Sequence, residues 1–252
     1  VILIGSALLM LPFATKAGES TTYINALFTS TTATCVTGLV PYDTYTHWSI
    51  FGQVVIILLI QTGGLGFMTF VSVLINILGR NLGLYEKKAF MHSAGEGIYY
   101  STWHSVSAFC NAGFDLMGGL FGGEKFVSFT HYATDPVVSL TISFLIIIGG
   151  LGFCVWGDIV DTRCNFKKFR LHTKVVLFVN TLLLLISTLL FFFFERNNPT
   201  YGDFSLGDKW LVAFFNATTP RTAGFNTDDL SSLSDSAFLL TLMLMFIGGS
   251  SA

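Results

Sequence analysis

The stretch Cys110-Asn111-Ala112-Gly113-Phe114 follows a short amphipathic segment and precedes a long apolar one. The same form, a polar-to-apolar run ending in a lone glycine before an apolar residue, occurs twice more: Thr34-Cys35-Val36-Thr37-Gly38-Leu39 and Arg221-Thr222-Ala223-Gly224-Phe225. Each copy follows a segment too short to cross a bilayer and precedes one that is long enough. An uncharged, glycine-containing turn between a half-length helix and a spanning helix is how backbone carbonyls form an ion filter. The three turns therefore indicate a cation pore.

The composition is typical of an integral membrane protein. Apolar residues make up 52% of the 252 residues and charged residues only 11%, whereas a soluble domain has about 25% charged residues. The mean hydropathy is +0.67. A formal net charge of −2 provides no basic surface for a nucleic acid. We interpret the four cysteines, none of which forms a CxxC pair, as free thiols rather than disulfides or zinc ligands: Cys35, Cys110, Cys154 and Cys164.

Five apolar segments are candidate membrane spans, at about 1–13, 49–79, 136–160, 174–194 and 237–252. Because the chain begins and ends inside apolar runs, we expect it to be a fragment of a longer protein. Basic residues cluster after the second and third segments: Arg80, Lys87, Lys88, Arg163, Lys167, Lys168, Arg170 and Lys174. These 8 of the 13 Lys and Arg residues predict that both loops are cytoplasmic. The acidic loops and the three glycine turns would then face outward from the cell membrane.

The spacing of the turns predicts an irregular internal repeat. Gly113 and Gly224 are 111 residues apart, but Gly38 and Gly113 are only 75 apart, and the difference of 36 residues is about one helix with its loops. Between Arg80 and Gly97 no segment is apolar enough to return the chain to the outer side. We therefore predict three repeats, at 1–79, 80–160 and 161–252. The first begins late, the second lacks its first helix near residues 92–97, and the third is cut short.

Short helices are predicted before the turns, at about 22–35, 98–110 and 206–219. A helix that ends at the filter directs the partial negative charge of its last carbonyls toward a cation. Glycine at the turn permits unusual backbone angles and keeps a Cβ out of the conducting path. No acidic residue lies within two residues of Gly38 or Gly224, and Asp115 is assigned to the pore mouth. An uncharged filter suits a monovalent cation better than Ca²⁺.

The predicted ion-binding groups are the backbone carbonyls of the three turns. They belong to Val36, Thr37, Gly38, Asn111, Ala112, Gly113, Thr222, Ala223 and Gly224. Three polar side chains among them are predicted to brace the turns by hydrogen bonds: Thr37, Asn111 and Thr222. Arg221 directly precedes the third turn. Its side chain either donates hydrogen bonds to carbonyls behind the filter or pairs with an outer Asp; the alternative is that it tunes the ion occupancy of the filter. His104 is interpreted as a packing residue of the second short helix.

A second glycine pattern lies within the apolar segments that follow the turns. Residues 61–67 read QTGGLGF and residues 148–153 read IGGLGF, where small residues permit close helix packing or a bend. Residues 247–251 read IGGSS and interrupt the apolar run. Irregular backbone at that depth is tolerated only where it is buried or lines a cavity. A gate below the filter is therefore predicted at Gly248, Gly249, Ser250 and Ser251.

These motifs resemble the Trk/Ktr/HKT superfamily of potassium transporters, and the Ktr-type membrane subunit most closely. The matching stretches are 36–39 (VTGL), 61–67 (QTGGLGF), 109–114 (FCNAGF) and 219–227 (TPRTAGFNT). The resemblance implies an all-α integral membrane protein in which four M1-P-M2 repeats (helix, pore half-helix, helix) surround one pore. It assigns Gly38, Gly113 and Gly224 to the filter, and 248–251 to the start of a gating loop in the third M2. The fourth repeat of the family is absent from this chain.

The resemblance also implies a function and partners. The expected function is potassium uptake by the ion-translocating subunit of a channel-like transporter, and Gly38 in place of the Ser of sodium-favouring members indicates K⁺. The expected partners are the lipid bilayer, a second copy in a homodimer, and a cytosolic ring of nucleotide-binding (RCK) subunits. No bound cofactor is expected other than the transported K⁺ or Na⁺.

Three alternative functions were compared with this one. A sodium-permeable or sodium-coupled transporter of the same superfamily shares the repeated turns. A membrane-embedded enzyme needs clustered His, Asp or Cys, but His47, His104 and His131 are scattered, and neither HExxH nor GxSxG occurs. A structural scaffold does not account for the repeated turns. We therefore predict a transporter rather than an enzyme.

Overall fold

The computed structural model describes residues 1–64, 94–118, 127–163, 165–202, 204–229 and 232–249. The chain divides into two compact units, Val1–Phe129 and Thr130–Ala252. Within the described residues the regular structure is helical, and the β-type pairing is an isolated bridge between Thr15 and Trp48. This agrees with the all-α class expected from the sequence.

The described residues of the first unit form five α-helices. They are α1 (Ile2–Leu9), α2 (Tyr23–Thr34), α3 (Thr44–His47), α4 (Ile50–Gly64) and α5 (Ala94–Phe109). Helices α1, α2 and α4 pack against one another, and α5 packs against α4. The buried core includes Leu9, Ile56, Ile60 and Trp103. The close approach of α1 to α2 depends on small residues, since a Cβ added to Gly5 would lie 2.5 Å from Ser30 Oγ.

Five α-helices also lie in the part of the second unit that the structure describes. They are α6 (Pro136–Gly149), α7 (Phe153–Asp161), α8 (Leu171–Glu195), α9 (Leu206–Thr218) and α10 (Asp235–Ile247). Helix α9 packs against α6 and α8, and α8 also contacts α7 and α10. One buried apolar cluster joins Phe191 of α8 to Ala213 and Ala217 of α9 and to Leu244 of α10. The unit is thus organised around α8 and α9.

The predicted membrane spans agree with the observed helices to different degrees. Residues 174–194 lie within α8, which is 25 residues long and contains an 18-residue window with a mean hydropathy of 2.6, enough to cross a membrane. The segment 136–160 is split instead into α6 and α7, which are bent by 93°. Gly152, with φ of +80°, begins α7, so the glycines of this segment break the helix. Helix α4 covers the first part of 49–79, and the rest of that segment lies outside the described residues.

The three short helices predicted before the turns are present. Helices α2 and α9 begin within one residue of the positions expected, and α5 begins four residues early. Helix α9 has a capping box in which the Ser205 hydroxyl accepts from the Asp208 N–H and the Asp208 carboxylate accepts from the Ser205 N–H. Residues 94–97 are helical, while 92 and 93 lie outside the described residues. A helix missing at this point therefore stays a prediction.

Candidate functional site: the glycine turns

The first turn continues directly from α2. After Thr34, the Thr37 N–H donates to the Thr32 carbonyl at 2.9 Å, which closes the chain back on the last helical turn. Val36 has a φ of +55° and Gly38 a φ of +74°, while Thr37 between them is not in the positive-φ region. A positive φ is uncommon for a β-branched residue and costs on the order of 1–3 kcal/mol, so the surrounding contacts must hold Val36 there.

The second turn repeats this geometry at the end of α5. The Ala112 N–H donates to the Ser107 carbonyl at 2.8 Å, across the same five-residue interval as in the first turn. Asn111 has a φ of +55° and Gly113 a φ of +70°. Two stretches that share only a glycine and its context thus fold into the same backbone shape.

The third turn is a variant of the same shape. Gly224 has a φ of +78°, but the Ala223 N–H donates to the Thr219 carbonyl at 3.0 Å, across four residues instead of five. A 3₁₀ turn over Thr219–Arg221 contains Pro220, which cannot supply a backbone donor. All three predicted filter glycines therefore adopt a left-handed conformation, which L side chains rarely adopt and which glycine takes without strain.

The first and second turns lie against each other in the first unit. A Cβ added to Gly38 would stand 2.7 Å from the Ala112 carbonyl oxygen and 3.5 Å from Gly113 Cα. A Cβ added to Gly64 of α4 would lie 3.2 Å from Val36 Cγ2 and 3.1 Å from the Cβ of Cys110. The structure thus brings two of the three predicted turns into backbone contact and packs the glycines of α4 directly behind them.

A side-chain hydroxyl near the end of each short helix bonds the residue that follows the turn glycine. In the first turn the Leu39 N–H donates to Thr32 Oγ1 at 3.1 Å. In the second, Ser107 Oγ donates to the Phe114 carbonyl at 2.7 Å. In the third, Thr219 Oγ1 donates to the Phe225 carbonyl at 2.6 Å. We call these three hydroxyl residues, Thr32, Ser107 and Thr219, the braces.

The braces were missed by sequence reasoning, which looked for bracing side chains inside the turns. Thr37 does take part, through a hydrogen bond with the hydroxyl of Thr32, while bracing by Asn111 and Thr222 stays a prediction. The signal available in the sequence was a Thr or Ser five or six residues before each turn glycine. A hydroxyl is the only uncharged side-chain group that donates and accepts through one atom, so it serves either a carbonyl or an N–H.

His104 of α5 holds the chain that leaves the second turn. Its Nε2 accepts from the Leu116 N–H at 3.1 Å, so the proton lies on Nδ1, which faces the Tyr100 carbonyl at 2.8 Å. The ring is buried and stands edge-on to Phe129, with centroids 5.1 Å apart. His104 is therefore a packing residue, as interpreted from the sequence, and it also fixes the backbone two residues beyond Phe114.

Buried carboxylates hold the loop that leaves the third turn. Asp228 accepts from Asn216 Nδ2 at 2.8 Å and from the hydroxyl of Tyr201. Burial raises the pKa of Asp228, and these two hydrogen bonds act in the opposite direction. Glu195, at the end of α8, accepts from the N–H and hydroxyl of Ser234 at 2.9 and 2.6 Å. These acidic groups are thus engaged in hydrogen bonds that shape the loop.

The predicted gate and the cysteines are only partly covered by the described residues. Helix α10 ends at Ile247, and Gly248 has a φ of +66°, so the apolar run is broken where expected. Ser250 and Ser251 lie outside the described residues, as does Cys164. The other three cysteines are free thiols. Across the described ranges, no group of three or more His, Cys, Asp or Glu residues is placed to hold a metal ion.

The family follows from a sequence profile. The profile described as TrkH, cation transport protein, matches residues 89–252, well over half of the chain. The chain belongs to the TrkH family of cation transport proteins. The superfamily expected from the turn motifs is therefore confirmed. The family consists of membrane transporters of cations rather than of enzymes.

Three similar proteins have potassium uptake in their names. The Ktr system potassium uptake protein B of Bacillus subtilis (strain 168) is 38% identical, covering 100% of this chain and 63% of the relative. The potassium/sodium uptake protein NtpJ of Enterococcus hirae is 37% identical, covering 100% of this chain and 62% of the relative. The Ktr system potassium uptake protein B of Vibrio alginolyticus is 36% identical, with the same coverage. The chain thus spans less than two thirds of the length of these relatives.

Proposed function

We propose that the intact protein takes up K⁺ across the cell membrane as the ion-translocating subunit of a Trk/Ktr-type system. The observation that carries this proposal is the shared geometry of the turns. Each predicted filter glycine follows a short helix and has a φ between +70° and +78°, and the first two turns touch through their backbones. In the proposed filter, carbonyls of residues 36–38, 111–113 and 222–224 replace water around the ion. The relatives named for potassium uptake support the choice of ion.

The proposed architecture is a series of M1-P-M2 repeats at 1–79, 80–160 and 161–252. The 292 positions aligned with the Bacillus subtilis relative exceed the 252 residues of this chain by 40. This excess supports the inference that the second repeat lacks a helix that its relatives contain. In the intact protein, the turns would face outward and the loop from Gly248 to Ser251 would lie below the filter as a gate.

The proposed partners are the lipid bilayer, a second copy of the chain and a cytosolic nucleotide-binding ring of RCK subunits. Helix α8 supports contact with lipid, because many of its large apolar side chains are exposed, including Phe178, Leu185 and Phe193. The word "system" in the relatives' names supports an additional component.

A second candidate is a sodium-permeable or sodium-coupled transporter of the same family. The Enterococcus hirae relative, whose name includes both potassium and sodium, favours it. The two candidates differ in ion preference, which the first turn is expected to set.

Gly38→Ser in the intact protein tests the proposed filter. The new Cβ would stand 2.7 Å from the Ala112 carbonyl, and φ is +74°, so the substitution must move one of the two turns. We expect the preference for K⁺ over Na⁺ to fall by roughly tenfold, which corresponds to about 1.4 kcal/mol. Uptake competition between the two ions in a strain deficient in potassium uptake measures this preference.

Gly18→Ser is the matched control. Gly18 also has a positive φ, +72°, but nothing lies within 4 Å of an added Cβ. It introduces similar backbone strain away from the turns and should leave the ion preference unchanged. An unchanged preference in Gly38→Ser, at equal protein abundance, would remove Gly38 from the filter. A wild-type preference for Na⁺ would favour the second candidate.

A further inference from the structure

Arg221 is buried directly before the third turn. Only 9% of the residue is exposed. Its Nε donates to the Gly248 carbonyl at 3.3 Å, and one terminal N–H donates to Asn180 Oδ1. Both of these partners are neutral. The side chain therefore carries a positive charge into the interior of the second unit and ends on an amide and a carbonyl.

The two partners come from helices that are far apart in the sequence. Asn180 lies in the middle of α8, and its Nδ2 donates to the Val176 carbonyl at 2.9 Å. That bond orients the amide so that Oδ1 is turned toward the guanidinium. Gly248 is the C-cap of α10, with a φ of +66°. Arg221 thus connects the third turn to α8 and to the point where α10 ends.

The chain beyond α10 also contacts the turn. A Cβ added to Gly249 would lie 3.3 Å from Thr222 Cγ2 and 3.7 Å from the Arg221 carbonyl oxygen. A small cavity between these elements is lined by Asn180, Arg221, Thr222 and Gly249 together with Ile146 and Gly150 of the α6 end. The guanidinium therefore lies beside a small cavity, where the ends of α6 and α10 meet the middle of α8, rather than in a tightly filled core.

Arginine suits this junction for a physical reason. A buried cation is costly unless its N–H groups are bonded. The planar guanidinium presents donors in fixed, different directions, so it can bond one acceptor on α8 and another on α10 at once. A lysine ammonium retains the charge but lacks this fork. The hydrogen bonds also hold the charge at a fixed position relative to Thr222 and Gly224.

We propose that Arg221 is a positioning residue that fastens the third turn to Asn180 of α8 and to Gly248 of α10, and thereby sets ion discrimination at that turn. The inference rests on the proposed function of the turns as a filter. It follows that a displacement of the α10 end is transmitted to the third turn through the Arg221 side chain as well as through the contact of Gly249 with Thr222.

A double-mutant cycle in the intact protein tests this role. Arg221→Lys keeps the charge and loses the fork, and Asn180→Leu removes the acceptor at similar volume. Each is expected to lower the preference for K⁺ over Na⁺ by roughly tenfold, because residues in one hydrogen-bond network are energetically coupled. The double variant should lose no more than either single variant. Apparent KM and maximal uptake rate are measured for each ion, with protein abundance determined in parallel.

Two further variants serve as controls. Asn180→Gln keeps both an amide oxygen for the guanidinium and an amide N–H₂, on a side chain one methylene longer, and should lose less of the preference than Asn180→Leu. Arg196→Lys makes the same chemical change at an exposed position of the second unit and should have no effect.

Three results would contradict the inference. They are additive losses in the double variant, an unchanged preference in Arg221→Lys, and a loss of protein abundance with unchanged preference per molecule. K⁺ uptake retained with unchanged preference contradicts only the role of Arg221. Absence of K⁺ uptake by the unsubstituted protein contradicts the proposed function instead.

Discussion

At each of the three braces, a hydrogen bond made by one side-chain hydroxyl, as donor or acceptor, supports the strained backbone of a turn. Ser107 is fully buried, and its hydroxyl donates to the Phe114 carbonyl, directly after the second turn. Because the braced residue comes directly after the turn glycine, the bond limits how far the outer end of the turn can move. The recurrence of the contact at Thr32 and Thr219 indicates that it belongs to the turn structure.

Ser107→Ala is expected to reduce ion discrimination. The substitution leaves the Phe114 carbonyl without this donor in a buried site, which costs about 1–3 kcal/mol, and it releases the end of the turn. The preference for K⁺ over Na⁺ in competition uptake should fall, and Ser107→Thr should restore it. Ser105→Ala, at a half-buried position of the same helix, is the control. Equal preferences in the two alanine variants would show that the brace does not support the filter.

Asp115, two residues beyond Gly113, has an environment that disfavours its charge. Its pKa is raised to about 6, mainly by burial and in part by the nearby Asp43, while the Met117 N–H, which donates to Oδ1 at 3.0 Å, acts in the opposite direction. The folded state therefore binds this proton more tightly than the unfolded chain does. By linkage, the contribution of Asp115 to the free energy of unfolding rises as pH falls from above 6 to about 4.

Asp115→Asn is expected to stabilise the protein at pH 7.5. The amide keeps an oxygen acceptor for the Met117 N–H and removes the buried charge, for a gain on the order of 1–3 kcal/mol. The apparent Tm in detergent should rise at pH 7.5 and converge with that of the wild type near pH 4.5. Asp161→Asn, at the exposed end of α7, should change neither value. A lower Tm for Asp115→Asn at pH 7.5 would show that the ionised carboxylate is stabilised in the folded state.

Glycines lie at the ends of two apolar helices, α4 and α6. In α4, Gly63 and Gly64 remain helical and bring the helix onto the end of α2. After α6, the chain bends by 93° before α7 begins. Glycine permits both results because it lacks a Cβ and has a weak helix propensity.

Gly63→Ala is expected to disrupt the packing of α4 on α2. An added Cβ would stand 1.6 Å from the Thr34 carbonyl oxygen and 2.5 Å from its carbon. Both are backbone atoms of Thr34, the last residue of α2 before the first turn. The added Cβ would therefore force α4 away from α2. We expect a large fall in folded protein and in apparent Tm, since overpacking costs about 1–3 kcal/mol or more.

Gly157→Ala in α7 is the matched control for this helix contact. Nothing lies within 4 Å of its added Cβ. Alanine at a helical position is more favourable than glycine by about 0.5–1 kcal/mol, so this variant should be neutral or slightly stabilising. If Gly63→Ala behaves like Gly157→Ala, the close contact between α4 and α2 is absent.

The described residues form two compact units. Both units contain glycine turns, but the contacts that support the turns differ. The first contains two turns in backbone contact, with α4 packed behind them. The second contains one turn, joined by Arg221 to two helices of that unit.

Much of this protein could be predicted from its sequence because the signals are local. A lone glycine after a short helix determines the left-handed angle at Gly38, Gly113 and Gly224. A Ser-to-Asp spacing of three residues predicts the capping box that begins α9. Low charge and long apolar runs predict a membrane protein, and the turn motifs were sufficient for the family.

The contacts that support the turns depended on the packing of distant segments. Asn180 and Arg221 are 41 residues apart, and nothing local to either predicts the other as its partner. The contact between Gly38 and Ala112, and the bend between α6 and α7, likewise require the neighbouring helices to be in place. Local sequence determines the backbone conformation that a segment prefers and the apolar face of a helix. Tertiary packing determines which polar groups are buried next to one another, and those groups must then form hydrogen bonds.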